Sequence, residues 1–187
     1  MRPAERRMER VFAGLARLAS RTAPPAQVAA VCYRWSESSV EFLLVRTSAG
    51  KWTFPKGRLN PSMSASESAA REAREEAGAR GRIAERHFGS YLDSKRALGD
   101  DPRSREVRIV TYLLEVHSTM TPEESDRYPT WYGAREAKRR LAEGRPSVYA
   151  KLLAKVVDSA LEHVTKSPTR RSTILARSQG RRLVQAR

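Results

Sequence analysis

The sequence has few cysteines and no long apolar segment. Cys32 is the single cysteine among 187 residues, so the chain cannot form an internal disulfide or a cysteine zinc cluster. No uninterrupted apolar run approaches the roughly 20 residues that a membrane-spanning helix requires, and the N-terminal region lacks the apolar core of a secretory signal. These absences exclude a disulfide-bonded scaffold and predict a cytoplasmic protein without a membrane span.

Acidic residues are scarce at the two ends of the chain. The net charge is +15. Residues 1–22 contribute +4 of it and residues 165–187 contribute +7 without a single acidic residue, so the long middle region carries only +4. Terminal arginines raise the net charge without building a recognition surface. We therefore expect tails that are solvated or that contact nucleic acid or another polyanion weakly, rather than a specific nucleic-acid module.

The pattern along the chain predicts three parts. Apolar residues recur at helical spacing from Met8 to Leu18, which predicts a basic amphipathic helix within residues 1–25, ended by the two prolines that follow. Residues 26–166 have the length and composition of one domain. Residues 167–187 are predicted to form a basic tail without fixed structure. No pattern specifies an oligomeric state.

Within the domain, the apolar periodicity predicts a mixture of strands and helices. Strands are predicted at 28–35, 40–46, 82–93 and 107–117, with a short extended segment at 52–54. Helices are predicted at 64–77, 133–141 and 148–165. The polar segment 94–106 is predicted to be a loop. The order of these elements predicts a mixed α/β sandwich.

One predicted helix carries an acidic face. Glu72, Glu75 and Glu76 are spaced i, i+3 and i+4, so their side chains project to the same side, where like charges destabilise an isolated helix. A hard divalent cation such as Mg²⁺ reverses that effect, because carboxylate oxygens suit it and it usually also engages substrate phosphates. The alternative is a solvated charged face, made tolerable by Arg71 and Arg74. The spacing alone leaves both interpretations open.

The residues around this helix favour the first interpretation. Pro55, Lys56 and Gly57 precede it through a loop with further turn-forming residues, and Gly78 follows it. The segment from Gly57 to Ala79 resembles the Nudix box, usually written G-x(5)-E-x(7)-R-E-U-x-E-E-x-G-U, where U is apolar. The matching residues are Gly57, Arg71, Glu72, Ala73, Glu75, Glu76, Gly78 and Ala79.

One position departs from the motif. Met63 stands where the pattern has its first glutamate. Glu67 lies four residues later and precedes Arg71 by four, so we expect it to supply the supporting salt bridge to Arg71. The departure therefore concerns the support of the helix rather than the acidic cluster itself.

The resemblance implies a fold and a reaction. The fold implied is the Nudix-like α/β/α sandwich with a mixed sheet, flanked here by basic terminal extensions. The reaction implied is cleavage of a pyrophosphate linkage by metal-assisted attack of water, with Mg²⁺ or Mn²⁺ as cofactor. The Phe54-Pro-Lys-Gly entry and Trp131 are most similar to the subgroup that acts on diadenosine or diphosphoinositol polyphosphates. Other nucleoside diphosphate derivatives, an RNA 5′ end, or binding of a polyanion without turnover are the alternatives.

The resemblance also implies roles for individual residues. Glu72 and Glu76 are expected to be metal ligands, with the Gly57 carbonyl as a further ligand. Glu75 is expected to bind a metal or to orient the attacking water, and Arg71 to position the helix. The general base is left open between Glu75 and an acid outside the box; the outside candidates are Glu115, Glu123 and Glu124.

Basic and aromatic side chains near the box are candidates for substrate binding. Lys56 and Arg58 flank Gly57, and Arg46 ends the preceding strand, so all three can clamp phosphates of an anionic small-molecule substrate. Three aromatic residues are candidates for stacking on a base, with core packing as the alternative for each: Trp52, Tyr91 and Tyr132.

Overall fold

The computed structural model describes residues 27–37, 39–95 and 105–166. The helix predicted within residues 1–25 and the tail predicted at 167–187 lie outside the described residues. No helix in the described ranges is both long and apolar enough to cross a membrane.

The centre of the domain is a mixed sheet. Its strands are β1 (Gln27–Ser36), β2 (Ser39–Arg46), β3 (Trp52–Thr53), β4 (Lys56–Arg58), β5 (Ala79–Ile83), β6 (Gly89–Lys95), β7 (Arg105–Thr119) and β8 (Thr130–Gly133). The main path runs β3-β2-β1-β7-β5, while β4 pairs with β1, β6 with β7 and β8 with β2. β1 and β7 are parallel, and the other pairs are antiparallel. The parallel pair therefore lies at the middle of the sheet, where both faces are covered.

Helices cover the two faces of the sheet. They are α1 (Ala65–Ala77), α2 (Ala134–Ala142) and α3 (Ser147–Lys166), with a short 3-10 helix at Ser125–Arg127. Successive side chains of a strand point to opposite faces, and β1 follows this rule. Val28 and Ala30 pack in one buried cluster with the alanines of α1, whereas Ala29 and Val31 pack in a second cluster with the apolar residues of α2 and α3. The result is a three-layer arrangement with a core on each side.

Both ends of α1 are defined by local chemistry. Ser64 is the N-cap of a capping box, in which its side chain accepts from the Glu67 N–H and the Glu67 carboxylate accepts from the Ser64 N–H. Gly78 ends the helix with a φ of 62°, in the left-handed region that favours glycine. A side chain at Gly78 would also overlap the Met120 carbonyl. The helix thus begins and ends where the sequence predicts.

The architecture confirms the predicted α/β/α sandwich with a mixed sheet, and it corrects some strand boundaries. The strand predicted at 82–93 is two strands, β5 and β6, which pair with different parts of the long β7. β4 and β8 were not predicted as strands. Each is only three or four residues long and is held by pairing with β1 or β2, whose residues are distant in sequence.

Candidate functional site

The candidate site lies where β4 meets α1. β4 pairs with β1 so that Gly57 stands opposite Val28, and this places Gly57 against the acidic face of α1. A side chain at position 57 would overlap the Glu72 carboxylate, so only glycine allows the approach. The Lys56 N–H donates a hydrogen bond to Glu76 Oε2 (3.0 Å). The structure therefore brings together Gly57, Glu72 and Glu76, the three residues that the sequence predicts as metal ligands.

Both predicted carboxylate ligands are buried. Glu72 is 7% exposed and Glu76 is 4% exposed. Burial raises the pKa of Glu72, opposed mainly by Arg71. Burial also raises the pKa of Glu76 to about 7, even though the Lys56 hydrogen bond and the Arg127 charge favour the ionised form. Burying carboxylates costs free energy unless cations or hydrogen bonds compensate. These two groups thus lie where a bound cation would favour their charged forms.

The donor set fits a divalent cation that keeps part of its water shell. Among the described residues, no three side chains of His, Cys, Asp or Glu converge closely enough to hold a metal ion by themselves. Mg²⁺, however, usually binds through one or two carboxylates and keeps several waters. Two buried carboxylates beside Gly57 therefore fit Mg²⁺ or Mn²⁺ better than a metal that needs an all-protein cage.

Arg71 bridges two acids of the face. Its Nη2 lies 2.8 Å from Glu72 Oε1 and its Nη1 lies 3.4 Å from Glu75 Oε1. Arg74 Nη2 is also 3.7 Å from Glu75 Oε1. The Glu75 carboxylate therefore lies near two arginines, and Glu72 shares one of them while also lying against Gly57. Arg71 thus links the carboxylates of Glu72 and Glu75 on this helix, and its expected role in positioning the helix stays a prediction.

The salt bridge expected between Glu67 and Arg71 is not formed, so that expectation was wrong. Glu67 Oε2 instead accepts from the Ser64 N–H at 2.8 Å, and this hydrogen bonding lowers its pKa. The capping box takes Glu67 because Ser64 lies one turn before it. Arg71 Nε is left buried without a hydrogen-bond partner among the described residues. Met63, at the position of the missing glutamate, is exposed.

The three basic residues predicted to bind phosphate lie in different surroundings. Lys56 and Arg58 flank Gly57 in β4, and Lys56 Nζ is 3.6 Å from Asp93 Oδ2. Arg58 is exposed and pairs through its backbone with Gln27 of β1. Arg46 lies at the end of β2 with its guanidinium 4.6 Å from the centre of the Trp52 ring. Lys56 therefore reaches the acidic cluster through its backbone N–H, whereas Arg46 belongs to an adjacent pocket.

The adjacent pocket has a volume of about 410 Å³ and an aromatic lining. Its residues are Arg46, Trp52, Tyr128, Thr130 and Tyr132. The Trp52 and Tyr132 rings meet edge to face with their centroids 5.4 Å apart. Tyr128 stands at the rim, 64% exposed, with a φ of 49° that is unusual for a residue other than glycine. Of the predicted stacking residues, Trp52 and Tyr132 line this pocket, whereas Tyr91 is buried in the core.

Arg127 joins the acidic cluster to the pocket, and no sequence pattern predicted it. Arg127 Nη2 lies 2.9 Å from Glu76 Oε1 and 2.6 Å from Glu124 Oε2. Its Nη1 donates to the Arg46 carbonyl at 3.3 Å. The residue ends the 3-10 helix Ser125–Arg127 before β8, which is too short for a periodicity to indicate which side chains point inward. The feature that could have drawn attention to it is a lone arginine following several acids.

The candidate bases outside the box separate clearly. Glu124 forms a salt bridge with Arg127, and its N–H donates to the Glu75 carbonyl at 3.0 Å. Glu123 is exposed and pairs with Arg74 at 3.4 Å. Glu115 pairs with Arg82 at 2.7 Å, on the part of β7 beside Tyr33 of β1 rather than the part beside Val28. Glu124 is therefore the outside candidate that lies at the acidic cluster.

Comparisons with known proteins identify the family and the fold of the chain. The family model of the NUDIX domain matches residues 25–152. No curated protein matches the sequence. The fold is similar to a Caenorhabditis elegans Ap4A hydrolase binary complex, with a TM-score of 0.56, 18% identity, and coverage of 75% of this chain and 98% of that chain.

Two further solved structures share the fold. The NUDIX domain of Shewanella oneidensis NrtR, complexed with ADP ribose, matches with a TM-score of 0.55 and 17% identity, covering 76% of this chain and 90% of that one. A mutant form of the Bacillus subtilis pyrophosphohydrolase BsRppH matches with a TM-score of 0.51 and 20% identity, covering 77% of this chain and 83% of that one. At these identities the likeness concerns the fold.

Proposed function

Since this chain belongs to the NUDIX family, we propose that it is a divalent-metal-dependent pyrophosphohydrolase that cleaves a phosphoanhydride bond by attack of water. The observation that carries the proposal is the pair of buried carboxylates, Glu72 and Glu76, on the helix face next to β4. The missing side chain of Gly57 leaves room for Glu72, and the Lys56 N–H binds Glu76. A fold has little reason to bury two like charges on one helix face unless a cation joins them.

Different residues would have different roles in the proposed reaction. Glu72, Glu76 and the Gly57 carbonyl are the groups that would hold Mg²⁺ or Mn²⁺. When bound, such a cation neutralises charge on phosphate oxygens and lowers the pKa of water. Arg71 holds the Glu72 carboxylate in place, and the Lys56 N–H does the same for Glu76.

The proton of the attacking water requires a base close to the cluster. We assign it to Glu75, which lies on the same helix face as the two ligands and is partly exposed. Glu124 is the alternative within the same site, because it is tied to the Glu75 carbonyl. Replacing each by glutamine and comparing the pH dependence of kcat separates the two, since loss of the base removes the acidic limb of the profile.

The pocket favours a substrate with a flat base. Trp52, Tyr132 and the guanidinium of Arg46 offer aromatic and cationic surfaces, which suit a nucleobase better than the saturated ring of an inositol. Similar folds occur in an Ap4A hydrolase and in a domain complexed with ADP ribose. We therefore propose a diadenosine polyphosphate or a related nucleoside polyphosphate as substrate. A diphosphoinositol polyphosphate is the second candidate, because the cations on either side of Gly57 in β4, Lys56 and Arg58, suit a very anionic substrate.

A substrate panel tests the proposal. The full chain is incubated with diadenosine tetraphosphate, ADP-ribose, diphosphoinositol pentakisphosphate and 5′-triphosphorylated RNA, each with Mg²⁺, Mn²⁺ or EDTA. The expected result is metal-dependent hydrolysis with the highest kcat/KM for a nucleoside polyphosphate. Absence of turnover on every substrate, together with RNA binding that weakens steeply with salt, would instead identify a polyanion-binding protein.

Two stacked arginines provide a matched test of the pocket. Arg46 lies over Trp52, and Arg34 lies in the same way over Trp131, 4.3 Å from the ring centre, outside the pocket. Arg46→Gln should raise KM for the nucleotide substrate about tenfold with little change in kcat, as expected for loss of one charge-assisted contact. Arg34→Gln should change KM less than about twofold. Equal effects of the two substitutions would contradict binding in the pocket.

A further inference from the structure

We propose that Arg127 competes with the divalent cation for Glu76, so that the Glu76 carboxylate is paired with the Arg127 guanidinium until a metal ion binds. This inference rests on the proposed function, because it concerns the same metal site. It assigns to Arg127 a positioning role that acts through Glu76.

The geometry places Arg127 on the ligand itself. Each oxygen of the Glu76 carboxylate has a partner, since Oε2 accepts from the Lys56 N–H and Oε1 lies 2.9 Å from Arg127 Nη2. A metal ion bound to Oε1 would therefore lie next to the positively charged guanidinium of Arg127. In a buried site the repulsion between the two positive charges is screened little. Metal and Arg127 therefore compete for the same oxygen.

Burial explains why such a partner is needed. Glu76 is almost fully buried, and an uncompensated buried carboxylate destabilises the folded protein. Arg127 is the cation that the structure brings to this oxygen. Arginine suits the task, because its guanidinium stays charged and offers several donors at fixed angles.

Arg127 also has contacts that do not involve Glu76 and that can persist when Glu76 binds a metal ion. Its Nε and Nη2 both contact Glu124 Oε2 at 2.6 Å, and its Nη1 donates to the Arg46 carbonyl at the pocket. The Glu124 backbone is fixed to the carbonyl of Glu75. Release from Glu76 therefore leaves Arg127 tethered between the acidic cluster and the pocket, where phosphates of a substrate would pass.

Metal affinity measures the competition directly. Mn²⁺ binding to the full chain is titrated without substrate, by electron paramagnetic resonance of the free ion, for the wild type, Arg127→Gln and Arg74→Gln. Arg74 is the matched control, because it is also an arginine beside the acidic face, but its contacts are with Glu75 and Glu123. Arg127→Gln should bind Mn²⁺ about tenfold more tightly than the wild type, and Arg74→Gln less than about threefold more tightly.

Thermal unfolding supplies a second readout that does not depend on activity. Without metal, Arg127→Gln should unfold at a lower temperature than the wild type, because Glu76 loses its ion pair. Saturating Mn²⁺ should then raise the Tm of this variant more than that of the wild type, since tighter binding to the folded state stabilises it more. If Arg127→Gln does not fold, Arg127→Lys replaces it. A lysine cannot keep all three contacts of Arg127 at once, so it should bind Mn²⁺ more tightly than the wild type, to a smaller extent.

The outcomes separate the inference from the proposed function. Unchanged or weaker Mn²⁺ binding in the Arg127 variants, with normal binding by the wild type, would overturn the competition and leave the hydrolase proposal intact. Equal tightening in Arg74→Gln would also overturn it, because a general charge effect would explain the result. If neither the wild type nor any variant binds Mn²⁺, the metal-dependent function itself fails.

Discussion

The two ends of α1 carry glutamates in opposite surroundings. Glu67, in the first turn, is exposed and closes the capping box with Ser64, which lowers its pKa. Glu76, in the last turn, is buried against β4, and burial raises its pKa to about 7. A glutamate thus stabilises the first turn of the helix through the capping box, whereas burial of a glutamate in the last turn costs folding free energy.

This difference shows which acid the fold requires for itself. The contacts of Glu67 lie within its own turn, so its charge serves the helix. Glu76 depends on groups from elsewhere in the chain, namely the Lys56 N–H and the Arg127 guanidinium. A carboxylate that the protein must compensate from two other segments is retained for a purpose other than stability.

The largest effect is expected from Glu76→Gln. This change keeps the size of the side chain and removes the charge that would hold the cation, so kcat should fall about 100-fold or more, beyond what loss of a supporting contact costs. Mn²⁺ affinity should fall in parallel. Hydrolysis rates at saturating metal, with circular dichroism to confirm folding, give the measurement.

Glu67→Gln is the control for that substitution on the same helix. It removes an exposed charge that touches Ser64 rather than Gly57, so activity should remain within about twofold of the wild type. The contrast between the two ends of α1 would be refuted if both variants lost activity equally.

The second prediction concerns the glycine against the acidic face. In Gly57→Ala, the new methyl group would overlap the Glu72 carboxylate, which must move away from its position. Activity should fall about 10- to 100-fold, the usual cost of displacing a group that orders a metal site. The Tm should change little, because the displaced atoms are the end of a flexible side chain. Steady-state kinetics and thermal unfolding measure both effects.

Gly133→Ala is the matched control for the effect of an added methyl group. Gly133 has a negative φ, and a side chain there would meet open space. Its activity should equal that of the wild type. Full activity in Gly57→Ala would show that the position of Glu72 does not matter, and the proposed ligand set would then be wrong.

The contrast also explains what could be predicted from the sequence. The bounds of α1 were predictable because Ser64 and Gly78 are local end signals. The acidic face was predictable because helical spacing fixes it. The capping box was equally local, since Ser64-x-x-Glu67 is its sequence signature. The spacing of four residues between Glu67 and Arg71 also allows a salt bridge, which is why the sequence predicted that pair. In the structure Glu67 instead accepts from the N–H of Ser64, which is nearer in sequence.

The features that escaped prediction depend on contacts between distant segments. β4 and β8 are too short to have a pattern of their own, and they are strands because β1 and β2 lie beside them. Arg127 approaches Glu76 because the segment after β7 is held along α1, through the hydrogen bonds from the Met120 and Glu124 N–H groups. Arg127 belongs to a 3-10 helix of three residues, which is too short to have a period from which to infer the direction of its side chains. The acidic face was thus predictable, and its internal counter-ion was not.

The smallest effect on activity is expected from Ser64→Ala, which removes the N-cap of α1, the end of the helix that lies away from Glu76. The substitution removes the side-chain acceptor of the capping box, and the free energy of unfolding should fall by about 1 kcal/mol. Urea unfolding followed by circular dichroism measures the loss, with Ser62→Ala as control, because that hydroxyl contacts Asn60 in the preceding loop. Under conditions where the protein stays folded, kcat should not change, since the helix end near Glu72 and Glu76 is held by Gly78 and by the sheet. A fall in kcat comparable to that of Gly57→Ala, without unfolding, would mean that the two ends of α1 are coupled and that the division between a structural and a functional glutamate does not hold.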